Sequence, residues 1–84
     1  MVNIMSMEII EQQIKNCMEI SIYLDNELLD YDYIINPTYE GKKAIIERML
    51  KNSMDIIIDT SIDNFASIRN YLYTLYKIDI ETLL

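Results

Sequence analysis

Apolar residues recur at alternating spacings of three and four along the first part of the chain: Met7, Ile10, Ile14, Cys17, Ser21, Leu24, Leu28 and Tyr31, with Ser21 the one small polar member. On a helix these positions make one seam, and Glu11, Gln12, Lys15, Glu19 and Asn26 fall mostly outside it. The spacing predicts a first helix from about Ser6 to Tyr33, with Ser6 as N-cap and Glu8 placed well for the helix dipole. A rival pattern overlaps it. Glu19 to Leu24 alternates polar and apolar, and Asp25-Asn26 could turn the chain into a second strand through Ile35. A tight hairpin turn usually carries glycine, and none is present here.

Pro37 closes this segment, because the residue before a proline is driven out of helical geometry. Thr38 then caps a predicted second helix over Tyr39 to Asn52. Ala44, Ile45, Met49 and Leu50 form its apolar stripe, while Lys42, Lys43, Glu47, Arg48 and Lys51 form a wet face. Gly41 in the first turn costs about 1 kcal/mol relative to alanine. Met54 to Thr60 reads as a short buried strand if the hairpin exists, since a lone strand needs a partner, and otherwise as helix or linker. The last helix is the clearest, with Ser61 or Asp63 as cap, Ile62, Phe65, Ile68, Leu72 and Leu75 on one face, and an end near Lys77. Asp79 to Leu84 either continues it or forms a short apolar tail. The sequence holds one glycine and one proline, which leaves little turn chemistry for a sheet-rich fold. The expected fold is all-α, a bundle of about three helices in one domain spanning residues 1–84, and the alternative is α+β with a hairpin at residues 19–35.

A chain of 84 residues that is 51% hydrophobic is near the lower limit of what folds alone. With one cysteine and no histidine, neither a disulfide framework nor a zinc site can staple it, so association with itself or with a partner is expected. Cys17, on the apolar seam, is expected to be a buried thiol. The net charge of −7 works against direct nucleic-acid binding, which depends on neutralising phosphates. It favours instead a partner protein with a basic surface. The first residues lack a signal-peptide pattern, the longest aliphatic run is Ile56-Ile57-Ile58, and a lone thiol suits a reducing compartment; the expected location is cytoplasmic. Isoleucine, asparagine, tyrosine, lysine and aspartate dominate, as in proteins from AT-rich genomes, those of phages and large viruses among them.

The absence of histidine removes Ser-His and Cys-His nucleophiles, no glycine-rich phosphate loop is present, and no cofactor or metal is expected. Carboxylates remain as candidate chemistry. Glu8-x-x-Glu11 followed by Glu27-x-x-Asp30 resembles the paired acidic motifs of the all-α nucleotide pyrophosphohydrolases, the group that includes the dimeric dUTPases. That resemblance would make these four carboxylates, carried on two helices, magnesium ligands facing a nucleotide's phosphates.

Tyrosine carries the other signal. Asp30-Tyr31-Asp32-Tyr33 interleaves acid and aromatic, and Tyr71, Tyr73 and Tyr76 crowd the last helix. Exposed tyrosine is favoured at interfaces, so these seven residues are the expected partner-binding surface. The string Asp32-Tyr33-Ile34-Ile35-Asn36-Pro37 is similar to the acidic, tyrosine-rich, proline-ended epitope of the nuclease-bacteriocin immunity proteins. The expected function is a non-enzymatic inhibitor or adaptor, of the immunity or counter-defence kind, docking on a basic partner. The alternatives are a self-assembling structural subunit and the magnesium-dependent pyrophosphohydrolase.

Overall fold

A computed structural model describes residues 7–60 and 64–84. The chain forms a three-stranded antiparallel sheet followed by three helices: β1 (Met7–Ile14), β2 (Cys17–Leu24), β3 (Glu27–Ile35), α1 (Tyr39–Asn52), α2 (Met54–Thr60) and α3 (Phe65–Tyr76), with a terminal 3-10 turn at Ile80–Leu83. The strands lie in the order β1-β2-β3. The fold is α+β, which overturns the expected all-α bundle and the helix predicted from Ser6 to Tyr33.

The turns explain why the strands form without glycine. Ile14 pairs with Cys17 across the two-residue turn Lys15-Asn16, and Lys15 takes a positive φ of 56°. Leu24 pairs with Glu27 across Asp25-Asn26, whose φ angles are 51° and 68°. A two-residue hairpin that matches the sheet twist takes a positive φ at its first turn residue or at both, and at Asp25-Asn26 aspartate and asparagine tolerate it better than other L-residues. The rival hairpin reading thus located β2, its turn and β3, and missed only β1. Asn36, at φ 53° and followed by Pro37, ends β3.

The helical seam has a structural origin. Of its eight members, only Met7 and Leu24 are buried in the core. Ile10, Ile14, Cys17, Ser21, Leu28 and Tyr31 all lie on the sheet's other face, as the pairing register and strand alternation require. Both faces of the sheet carry apolar residues, so a period of two is masked.

The inner face packs against the helices. Met7, Ile9, Ile20, Ile22 and Leu24 join Ile46, Met49 and Leu50 of α1, Met54 and Ile57 of α2, Ile68, Leu72 and Tyr76 of α3, and Ile78 and Ile80 beyond it. Helix α1 has the predicted bounds, and the Thr38 hydroxyl accepts from the Gly41 N–H at 3.0 Å as N-cap. Its stripe is shifted, since Ile46 is fully buried while Ala44 is exposed. A Cβ on Gly41 would stand 3.0 Å from Ile34 Cδ1 and 3.1 Å from the Thr38 hydroxyl, so glycine lets α1 approach β3 closely. Met54–Thr60 is helical although the sheet exists, so the two elements form independently of each other; β3 finds its partner in β2 alone. On α3, Tyr76 is buried where Leu75 was expected, and Leu75 is exposed. The helix ends at Tyr76, close to the expected end near Lys77, and Lys77 caps it in the left-handed conformation. The caps assigned to Ser6, Ser61 and Asp63, and the stripe position Ile62, lie outside the described residues.

Candidate functional site

The outer face of the sheet is built from four cross-strand rungs: Glu8-Tyr23-Leu28, Ile10-Ser21-Tyr31, Gln12-Glu19-Tyr33 and Ile14-Cys17-Ile35. Among the described residues no helix covers it. Ile10, Ile14, Leu28, Tyr31, Tyr33 and Ile35 are between 43% and 60% exposed, half of the large exposed apolar side chains described. Such residues on a monomer are normally scattered; gathered on one sheet face, they mark an interaction surface. Cys17 sits here half-buried and unpaired, not in the core as expected.

Two carboxylates, Glu8 and Glu19, stand on this face, and no lysine or arginine does. The Tyr31 hydroxyl donates to Glu19 Oε2 at 2.8 Å, diagonally across the strands. The acceptor anion, together with burial, raises the Tyr31 pKa above its ordinary 10. That bond ties the Tyr31 side chain to β2 and leaves Glu19 with lone pairs still open to a donor from outside.

The register divides the seven predicted partner-binding residues into groups. Tyr31 and Tyr33 lie on the outer face. Asp30 and Asp32 belong to the opposite, inner face of β3. Each uses its Oδ1 to accept the backbone N–H of the tyrosine that follows it, at 2.8 Å for Tyr31 and 2.7 Å for Tyr33, and Asp32 also pairs with Arg48 of α1. Tyr71 accepts the Ile9 N–H at 2.9 Å. Tyr76 is buried and donates to Glu11. Only Tyr73 of the α3 group is exposed, with the Lys77 ammonium 5.3 Å from its ring centre, remote in sequence and element from the sheet face. The acid-and-tyrosine surface is therefore not one patch. Its tyrosine half on β3 is displayed, and most of the remainder holds the molecule together. Ile10, Ile14 and Leu28, read in the sequence as part of a helical seam, and Ile35, which carried no signal, complete the displayed face once the strand register places them beside Tyr31 and Tyr33.

The four carboxylates of the pyrophosphohydrolase pattern do not converge. Glu8 and Glu11, three apart on a strand, point to opposite faces, and Glu11 is engaged with Lys42 at 2.7 Å and with Tyr76. Glu27 opens β3 beside the turn, and Asp30 is separated from it by a bulge that leaves Leu29 without a cross-strand partner. Among the described residues no group of acids, cysteine or histidine is arranged to hold a metal ion. A hollow of about 510 Å³ beside Ala66, Arg69, Asn70, Tyr73 and Asp79 is open, and its arginine is drawn to Glu81 at 3.1 Å and Asp79 at 3.8 Å. No described helix is long and apolar enough to cross a membrane. Compared with protein-family models, with curated proteins and with solved structures, the chain matches none.

Proposed function

We propose that this chain is a protein-binding module whose docking surface is the outer face of the sheet, centred on Tyr31 and Tyr33. The observation that carries the proposal is the uncovered apolar face itself, Ile10, Ile14, Leu28, Tyr31, Tyr33 and Ile35, each roughly half exposed. An apolar centre containing tyrosine, with polar groups interspersed, is the composition that favours association between proteins. Glu8 and Glu19, with no cation on the face, call for a partner that brings hydrogen-bond donors or positive charge to those two positions. An inhibitor or adaptor would act through such a surface.

The test compares binding by the wild-type chain with that of Tyr33→Asp and Ile35→Asp. Both side chains are already exposed, so the far-ultraviolet spectrum and melting temperature are expected to stay unchanged. Association with any protein, a second copy included, is expected to weaken at least tenfold, since each change buries an unpaired charge in the interface. Unaltered association in both variants would overturn the assignment of this face.

A further inference from the structure

Resting on that reading, we infer that the occupant of the outer sheet face is a second copy of this chain, stacked face to face with its strands reversed end for end. Three independent features lead to this.

The sheet edges are blocked at three backbone donors. Antiparallel alternation directs the N–H groups of Ile9, Glu11 and Gln13 on β1 and of Leu28, Tyr31, Tyr33 and Ile35 on β3 away from β2, toward any strand that might be added. Three of these are occupied: Ile9 by the Tyr71 hydroxyl, Tyr31 by Asp30 and Tyr33 by Asp32. The aspartates also place negative charge along the β3 edge, a device that discourages strand addition. Strand addition is hindered there, which favours association through the face.

The face is large enough for a modest interface. Three strands of eight or nine residues make a footprint roughly 27 Å by 14 Å, about 380 Å² in projection before the relief of its side chains is added, which suits a contact at the small end of specific interfaces.

The polar groups are self-complementary in the reversed stacking. With the twofold axis running across the strands, the first rung faces the fourth of the second copy, and the second rung faces the third. Ser21 then lies opposite Glu19 of the second copy, and its hydroxyl supplies the donor that Glu19 lacks, twice by symmetry. The end carrying Glu8, Asp25 and Glu27 lies over the end carrying Lys15. A stacking with the ends aligned, its axis along the strands, would instead set Glu19 of the central strand against Glu19. The result is a four-layered dimer, helices outside and two sheets within.

The experiment is sedimentation equilibrium with native mass spectrometry on the purified chain. A dimer is expected, dissociating at least tenfold more readily in Ile35→Asp and in Tyr33→Ser with each monomer still folded. The register is tested by charge exchange: Lys15→Glu and Glu8→Lys each weaken the dimer, and the double variant restores it. In the reversed stacking the two Cys17 residues stand roughly 20 Å apart along the strands, beyond disulfide reach. Full cross-linking through Cys17 under mild oxidation would overturn the reversed arrangement, as would failure of the double variant to recover. A dimer indifferent to Ile35→Asp would overturn the use of this face. A monomer at all concentrations would overturn the second copy as occupant. If that monomer captured a different protein in an Ile35-dependent manner, the protein-binding reading would stand without the dimer; if it captured nothing, both would fall.

Discussion

Glu11 stands on the inner face of β1, where burial alone would push its carboxyl up. The Lys42 ammonium at 2.7 Å and the Tyr76 hydroxyl outweigh that and hold it below its ordinary 4.5. A carboxyl lowered on folding adds stability above its unfolded pKa, and that stability is lost as pH falls through the folded value. Tyr76 acts at the other end of the scale. Burial first, then the bond to the Glu11 anion, raise its pKa well above 10, so its contribution is complete below pH 10 and is lost as pH rises beyond. Glu11→Gln should cost about 1 kcal/mol at pH 7 by removing the charge from these bonds, and its denaturation midpoint should converge with the wild type as pH falls through the lowered Glu11 value. Equal losses at pH 7 and pH 3 in urea titrations would show that the charge of Glu11 contributes nothing. None of this was legible in the sequence. Only the pyrophosphohydrolase resemblance gave Glu11 a role, as a magnesium ligand beside Glu8, because a spacing of three joins two side chains on a helix and separates them on a strand.

The elements differ in how plainly they were written. Helix α1 was legible to the residue because Pro37, Thr38 and the charged face all mark the same start. The sheet was hidden because Ile10, Ile14, Leu28 and Tyr31, which ought to be polar in a sheet with one wet face, are apolar. The positions that imitated a helical seam are largely those that form the docking face, so the misreading of the fold and the missed half of the site have one cause. The glycine-free turn added to it. Asp25 and Asn26 adopt positive φ at some cost, and glycine adopts it freely. Asn26→Gly should therefore raise stability by about 0.5–1 kcal/mol, whereas Asn26→Val, β-branched at φ 68°, should lower it by about 1–2 kcal/mol. Thermal melts of the two variants check the pair; equal melting temperatures would mean that the turn does not limit the hairpin.

At the scale of the molecule, no described helix covers one face of the sheet while each edge is blocked at particular N–H groups, and the two features support each other. An 84-residue chain with an apolar face and free strand edges would add strands without limit, because each edge that pairs exposes another. A face, in contrast, is used up by a single partner. The Asp-Tyr-Asp-Tyr repeat supplies both parts: the tyrosines furnish the face, and each aspartate turns its carboxylate onto the edge N–H of the residue that follows. What looked like one acidic aromatic patch is a division of labour set by strand alternation. Asp30→Thr frees the Tyr31 N–H, removes an edge charge and retains a strand-forming residue; it should shift the protein from a limited assembly to fibres that bind thioflavin, growing with concentration. Asp30→Lys also removes the cap but keeps a charge at the edge, and it should remain soluble. Fibres from both variants would assign protection to the hydrogen bond, and fibres from Asp30→Thr alone would assign it to charge. If neither forms fibres, Asp32 and the bulge at Leu29 are enough to close the edge.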